Sequence, residues 1–344
     1  MSVDRHYSGW PGQQIASRDI SFVLQGPIDA GSLPALAKSI ANLRQLVPGC
    51  EIIVSSWRDA LDLTSLGSDH VVRSDDPGAL PGIRPSGEYP NSVNRQILSS
   101  RAGLQRASRP FAVKMRNDAV VVHPGFVALY EKYNDPDLPE QIVLPAYFTL
   151  DPSMFEHVPY HPSDWFHFGA TDALRTYWSA PFMTEADATY YTRHPYARHS
   201  TYLDRKFLCR LAVEQHVAVA YAQRFALTIP AFHNDIRPQV LADHDRFLSH
   251  FLIVGDLDQL GITLPKYDWV KQSGFQELNC LTHLDWLGLR ARLGHGASTP
   301  QTRARARRKR AIRALYRTMR PVLPFFYSKR LRGSVNKLLK FGRP

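Results

Sequence analysis

The chain has 344 residues, 44% hydrophobic and 11% aromatic, a composition that suits one large folded core or two modest ones and excludes a largely disordered protein. No run approaches the roughly 18 consecutive apolar residues of a spanning helix, and the N-terminus, MSVDRHYSGW, lacks the basic and apolar regions of a secretory signal, so the cytoplasm is the expected location. The net charge of +11 is concentrated in one place: residues 301–344 hold 15 Lys and Arg and no acid, leaving 27 bases against 31 acids elsewhere.

In chain order, DISFVLQG (residues 19–26) reads as a buried strand stopped by Gly26 and Pro27. LPALAKSIANLRQL (33–46) reads as a helix with Pro34 in its first turn, where a missing amide is harmless. CEIIVSSW (50–57) is the next strand, and DHVVRSDDPG (69–78) is a short third strand ending in acids and a turn. Val93, Ile97, Ala102, Leu104 and Ala107 recur at helical spacing, and a strand follows in which Phe111, Val113 and Met115 alternate with Ala112, Lys114 and Arg116. Strands separated by helices predict a parallel sheet, and Asp118 then falls at its carboxyl edge, where α/β proteins place ligands. Beyond residue 120 the pattern predicts a strand over 142–150, an aromatic-rich loop and strand over 161–169, and a helix over 203–217.

Several enzyme classes are disfavoured by missing motifs. There is no GxGxxG after the first strand, no GxxxxGKS/T, no GxSxG elbow and no HExxH helix. Cys50, Cys209 and Cys280 are widely spaced with no CxxC pair, which predicts reduced, buried thiols. The strand ends carry Gln25, Ser56, Asp75, Asp76 and Asp118, with Arg95, Lys114 and Arg116 close in sequence. Acids that hold a hard divalent cation and bases that neutralise phosphate oxygens fit a metal-bound diphosphate.

The segments ISFVLQGPI, PGCEIIVSSW, SDDPG, NRQILSSRAGLQRA, FAVKMRND and SDWFHFG, spread over residues 20–170, together resemble the WavE lipopolysaccharide synthesis family. The resemblance implies a GT-A-like, Rossmann-type nucleotide-sugar-binding sheet with an acceptor-side subdomain. It also implies a glycosyltransferase that moves a sugar from a nucleoside diphosphate donor to a lipopolysaccharide core or a related glycan. On that reading Gln25, Gly26 and Pro27 meet the nucleobase and ribose, and Asp75 and Asp76 approach ribose or sugar hydroxyls. Ser56, Arg95, Lys114 and Arg116 serve the donor, while Asp118 and a late histidine, His233, hold Mg²⁺ or Mn²⁺. The metal-binding DxD pattern of GT-A enzymes reads Arg116-Asn117-Asp118 here, without its first acid. Asp164 and Glu214 are the candidate bases for the acceptor hydroxyl.

The tail sequence TRARARRKRAIRALYRTMR sets Ile312, Leu315, Tyr316 and Met319 on one helical face among arginines, and Phe325, Phe326, Tyr327, Leu338 and Leu339 follow. A basic amphipathic helix of this kind predicts peripheral attachment to an anionic membrane surface rather than to nucleic acid, whose phosphates have no use for an apolar face. The expected organisation is therefore a nucleotide-sugar half (18–125), an acceptor half (126–288) and a basic tail (289–344). Two alternatives remain at the level of sequence: a non-catalytic carbohydrate-binding or scaffold protein of the same fold, and a polyanion-binding protein acting through the tail.

Overall fold

A computed structural model describes residues 14–57, 63–84, 90–267 and 275–319. The tail segment 320–344, with its expected apolar and basic positions, lies outside the described residues.

The frame is a seven-stranded sheet of order β3-β2-β1-β4-β7-β6-β8. Its strands are β1 (Ile20–Gln25), β2 (Glu51–Ser56), β3 (His70–Arg73), β4 (Phe111–Arg116), β6 (Ile142–Pro145), β7 (Phe166–Ala170) and β8 (Leu252–Gly255), while β5 (Val120–Val121) pairs elsewhere. Every residue of β1 and β2 is buried, as expected for strands covered on both faces. β3, β2, β1 and β4 run parallel, which is the sheet expected from the sequence, and their registers match Gln25 with both Ser55 and Arg116. The ends of three strands are therefore level at one edge. β7 runs antiparallel to both β4 and β6, so the second half of the chain completes the first half's sheet instead of building its own.

Helix α1 (Leu33–Leu46) buries Leu36, Ser39, Ile40 and Leu43, a stripe at the spacing seen in the sequence. Helix α2 (Val93–Arg106) lies directly on the sheet. A Cβ on Gly103 would fall 2.3 Å from Val23 Cγ1, so the close approach of α2 to β1 requires glycine there. Helix α3 (Gly125–Tyr133) covers part of the sheet, where Phe126 packs edge-on to Phe22 and Phe168.

The remaining helices are α4 (Thr171–Tyr177), α5 (Glu185–Ala188), α6 (Val213–Ala222), α7 (Pro238–His250), α8 (Leu257–Leu260), α9 (Phe275–Asn279), α10 (His283–Arg292) and α11 (Pro300–Met319). The helix expected over 203–217 is in fact a single 3-10 turn, Asp204–Lys206, followed after a break by α6. The Asp204 carboxylate organises the turn that stands in place of the helix start. It accepts hydrogen bonds from the backbone N–H groups of Thr201 and His157 and from the Thr201 hydroxyl, a local arrangement that competes with helix. The strand expected over 142–150 stops at Pro145, and Phe148 turns the chain with a left-handed φ of 64°.

The basic tail helix departs from expectation most clearly. α11 is docked rather than free. Thr302, Lys309 and Tyr316 are buried along one face, Tyr316 packs on Phe155 with ring centroids 4.1 Å apart, and Leu315 is 64% exposed. Lys309 Nζ lies 2.8 Å from Asp151 and 2.9 Å from Asp285, and Arg305 pairs with Asp285 and Glu277. Part of the face expected to meet lipid is thus used inside the protein, because the body supplies acids and an aromatic ring for it. α10 also carries the chain without interruption across residues 288 and 289.

Candidate active site

The carboxyl edge of β1, β2 and β4 gathers most of the residues expected there. β1 ends in Gly26, whose φ of +146° few side chains adopt and whose added Cβ would meet Asn117 Oδ1 at 2.5 Å. Asn117 holds this turn: its backbone N–H donates to Gln25 O, and its Nδ2 donates to Pro27 O at 2.6 Å. The middle residue of the Arg116-Asn117-Asp118 stretch is therefore a staple between strand ends, and Arg116 stands where the first DxD acid would be. Gln25 is buried, and its Oε1 accepts from Ser99 Oγ at 2.9 Å. Ser56 closes β2 and is also buried, its carbonyl accepting from Ser74 N.

Two arginine forks stand at this edge. Arg116 donates from Nε to Asp118 Oδ1 at 2.9 Å and from Nη2 to Oδ2 at 2.7 Å, while its guanidinium lies 4.4 Å from the Trp165 ring centroid. Arg95, on the first turn of α2, donates from Nε and Nη2 to the two oxygens of Asp76, each at 2.7 Å, and lies 5.9 Å from the Trp57 ring centroid. Asp76 Oδ1 also accepts from Gly78 N, forming a turn after the end of β3, and Asp75 is exposed beside it. Burial would raise the Asp118 carboxyl, but Arg116 outweighs it and holds the group below the ordinary carboxylate range.

Beneath the edge sits a polar cluster. Lys114 is fully buried, its ammonium donating to the Asp164 carbonyl at 2.6 Å and lying 4.0 Å from the Trp178 ring centroid. Its sequence position suggested a cation facing phosphate; instead it is enclosed, and it ties β4 to the loop before β7. Burial brings its pKa down to about 7, against the pull of Asp164. Asp164 accepts from Gln96 Nε2 at 2.5 Å, and burial and the Glu214 charge raise its carboxyl.

Glu214, in the first turn of α6, lies 3.3 Å from His161 Nε2, and its side chain is 22% exposed. Burial would raise the Glu214 carboxyl, but His161 outweighs it and the net shift is downward. Burial would lower the His161 imidazole, and Glu214 raises it above its ordinary value. The two candidate bases are thus brought into one electrostatic unit that also includes Lys114 and Arg116.

A short antiparallel pair, β5 with β9 (Ile262–Thr263), draws the following turn, Pro265–Tyr267, against the site. Tyr267 packs edge-on to Trp165 at 4.2 Å, and burial raises its phenol, with Arg116, Asp118, Asp164 and Glu214 all acting on it. Phe148 stacks parallel to Trp165 at 5.6 Å, and its carbonyl lies 3.2 Å from His161 Nδ1. Gln96, His161, Tyr267 and Phe148 were not legible as partners of Asp164 and Glu214, because their contacts join segments far apart in the chain. Only Gln96 carried a local signal, one place from Arg95 on the same helix.

His233 is not beside Asp118. It is fully buried, its Nε2 lies 2.8 Å from Asp204 O, its ring packs against Tyr191 and Phe207, and burial lowers it to about 4. Among the described residues, no three His, Cys, Asp or Glu side chains gather to hold a metal ion. Asp118 presents both oxygens to Arg116 and His233 serves Asp204, so the described residues do not fit the expected metal shell. Two cavities among the described residues, of about 500 and 540 Å³, lie elsewhere, one at His199 and Arg237 and one at Phe182 and His216.

A mostly parallel, Rossmann-type sheet with arginine forks and a buried polar cluster at its carboxyl edge defines an α/β protein of the nucleotide-binding kind. The chain belongs to the WavE lipopolysaccharide synthesis family, which it matches over residues 20–320. Among solved structures, it is similar to S. aureus TarS residues 1–349 in complex with UDP-GlcNAc, with 12% identity, 87% of this chain and 92% of that one covered, and a TM-score of 0.30. It is also similar to the galactosyltransferase LgtC in complex with donor and acceptor sugar analogues, with 10% identity, 64% and 85% coverage and a TM-score of 0.29. At those scores the likenesses carry no argument about chemistry. Comparison with curated proteins finds no match.

Proposed function

We propose that this protein is a glycosyltransferase that moves a sugar from a nucleoside diphosphate donor to a lipopolysaccharide core or related surface glycan. Family membership supports the pathway. The observation that carries the chemistry is the union of the Arg116–Asp118 fork with the Glu214–His161–Asp164 cluster at one sheet edge. The donor lies across the ends of β1, β2 and β4, against Gln25, Gly26, Pro27 and Ser56, with Asp75 and Asp76 at the sugar or ribose hydroxyls. The acceptor enters over Trp165 and Tyr267.

Glu214 is the base. It is charged, partly open to solvent and oriented by His161, so it can take the acceptor's hydroxyl proton as the new bond forms. Asp164 is held toward its neutral form and tied to Gln96, which suits a positioning role. The protein works in the cytoplasm at the inner face of the membrane. The exposed Arg303, Arg307, Arg310 and Arg317 of α11, with the basic segment 320–344, meet anionic lipid that bears a lipid-linked acceptor.

The test is sugar transfer from a panel of nucleotide sugars to lipopolysaccharide core, comparing Glu214→Gln with Asp164→Asn. The expected result is a kcat lower by about 10²- to 10⁴-fold for Glu214→Gln, and a milder loss for Asp164→Asn. Equal, mild losses would remove Glu214 from its role, and no transfer from any donor would favour a binding protein.

A further inference from the structure

We propose that the donor's diphosphate is held by the two arginine forks, Arg116 and Arg95, in place of a divalent cation, and that Asp118 positions Arg116 rather than ligating a metal. This rests on the glycosyltransferase reading and deepens it. Three observations carry it. Both oxygens of Asp118 are engaged by Arg116, at 2.9 and 2.7 Å, and the guanidinium is backed by Trp165, so the fork is fixed in direction before any ligand arrives.

The second observation is that Arg95 repeats the arrangement with Asp76 and Trp57. The two are joined through the protein: Gln96, next to Arg95, bonds Asp164, and Asp164 precedes the Trp165 that carries Arg116. Third, His233, the residue expected to complete a metal shell with Asp118, is committed to the Asp204 carbonyl instead.

Both arginines are partly accessible, with 29% and 19% of their side chains exposed, enough for a phosphate to reach the free N–H edges of each fork. Guanidinium groups match phosphate oxygens in pairs, and a planar fork anchored by a carboxylate on one edge keeps donors on its other edge for an anion. As the sugar leaves, negative charge grows on the β-phosphate, and a fixed cation there stabilises the transition state more than the ground state.

The experiment is titration calorimetry of the full chain with inorganic pyrophosphate and with UDP, GDP, CDP and ADP, in EDTA and in Mn²⁺, using wild type, Arg116→Ala, Arg116→Lys and Asp118→Asn. Thermal melts check that each variant is folded. The expected result is nucleoside diphosphate binding that survives EDTA, falls about tenfold or more in Arg116→Ala, recovers in part in Arg116→Lys, and falls by less in Asp118→Asn than in Arg116→Ala, with no Mn²⁺ dependence in any of them. Binding lost in EDTA and restored by Mn²⁺, or lost in Asp118→Asn while Arg116→Ala binds as wild type, would overturn the inference and leave the glycosyltransferase reading standing. Failure of every diphosphate to bind under both conditions would overturn the two together.

Discussion

Lys114 shows how one side chain can couple the sheet to the chemistry above it. It stands in the middle of β4, where its alternation with Val113 and Met115 suggested a cation open to the donor's phosphates, yet no part of it reaches solvent. An ammonium in that position is tolerated because the Asp164 carbonyl and the Trp178 face replace part of its hydration. Its pKa falls from 10.5 to about 7, so between those values the unfolded chain holds a proton that the folded chain does not. More protons bound in the unfolded state means stability that rises with pH. Wild type should therefore gain stability over Lys114→Met, on the order of 1–2 kcal/mol, between about pH 7 and pH 9. Denaturant unfolding of both proteins at the two pH values checks this, and parallel curves would show that the amine keeps its proton.

Among the elements, α11 departs most from its sequence reading and makes the clearest stability prediction. Lys309 is buried between Asp151 and Asp285, and it brings the Asp151 carboxyl down to about 2 against the effect of burial. Removing one partner of a buried pair leaves uncompensated charge, so Lys309→Met should cost about 3–5 kcal/mol. Adding Asp151→Asn to it should recover part of the loss. A denaturant midpoint unchanged in Lys309→Met would mean that α11 is not seated in solution.

What was legible at this scale follows from where the information lies. The span of α1 was readable because burial on one face writes itself into neighbouring residues, and the run of β4 because its apolar positions alternate within six residues. Gly26 was readable as a turn, and Asp118 as a strand-end acid, for the same local reason. The docking of α11 was not, since nothing in RARARRKRAIR says that Asp151 and Asp285, far back in the chain, will meet it. The tie between Asp204 and His157, across 47 residues, was hidden likewise. The pairing of Glu214 with His161 depended on that same long-range folding, so two candidate bases could be named from sequence but not joined.

On the scale of the whole molecule, the positive charge gathered late in the chain is divided between two sides of α11. The inward side of α11 is matched by acids of the body, whereas Arg303, Arg307, Arg310 and Arg317 face outward. No helix among the described residues is long and apolar enough to cross a membrane. Vesicles containing anionic lipid should therefore sediment wild type at low salt and fail to sediment a variant with those four arginines changed to glutamate, whose melting temperature should stay near that of wild type. Equal sedimentation of the two would assign the contact to another surface.

The burial of Lys309 also sets two separate ionic regimes for the C-terminal region. Outer arginines act through water and are screened at a Debye length of about 8 Å under physiological conditions, whereas an enclosed ion pair hardly feels dissolved salt. Raising ionic strength should thus peel the protein from a charged bilayer without unseating the helix that touched it. On the proposed membrane contact, release would be governed by the surroundings, while the geometry presented at each return would stay the same.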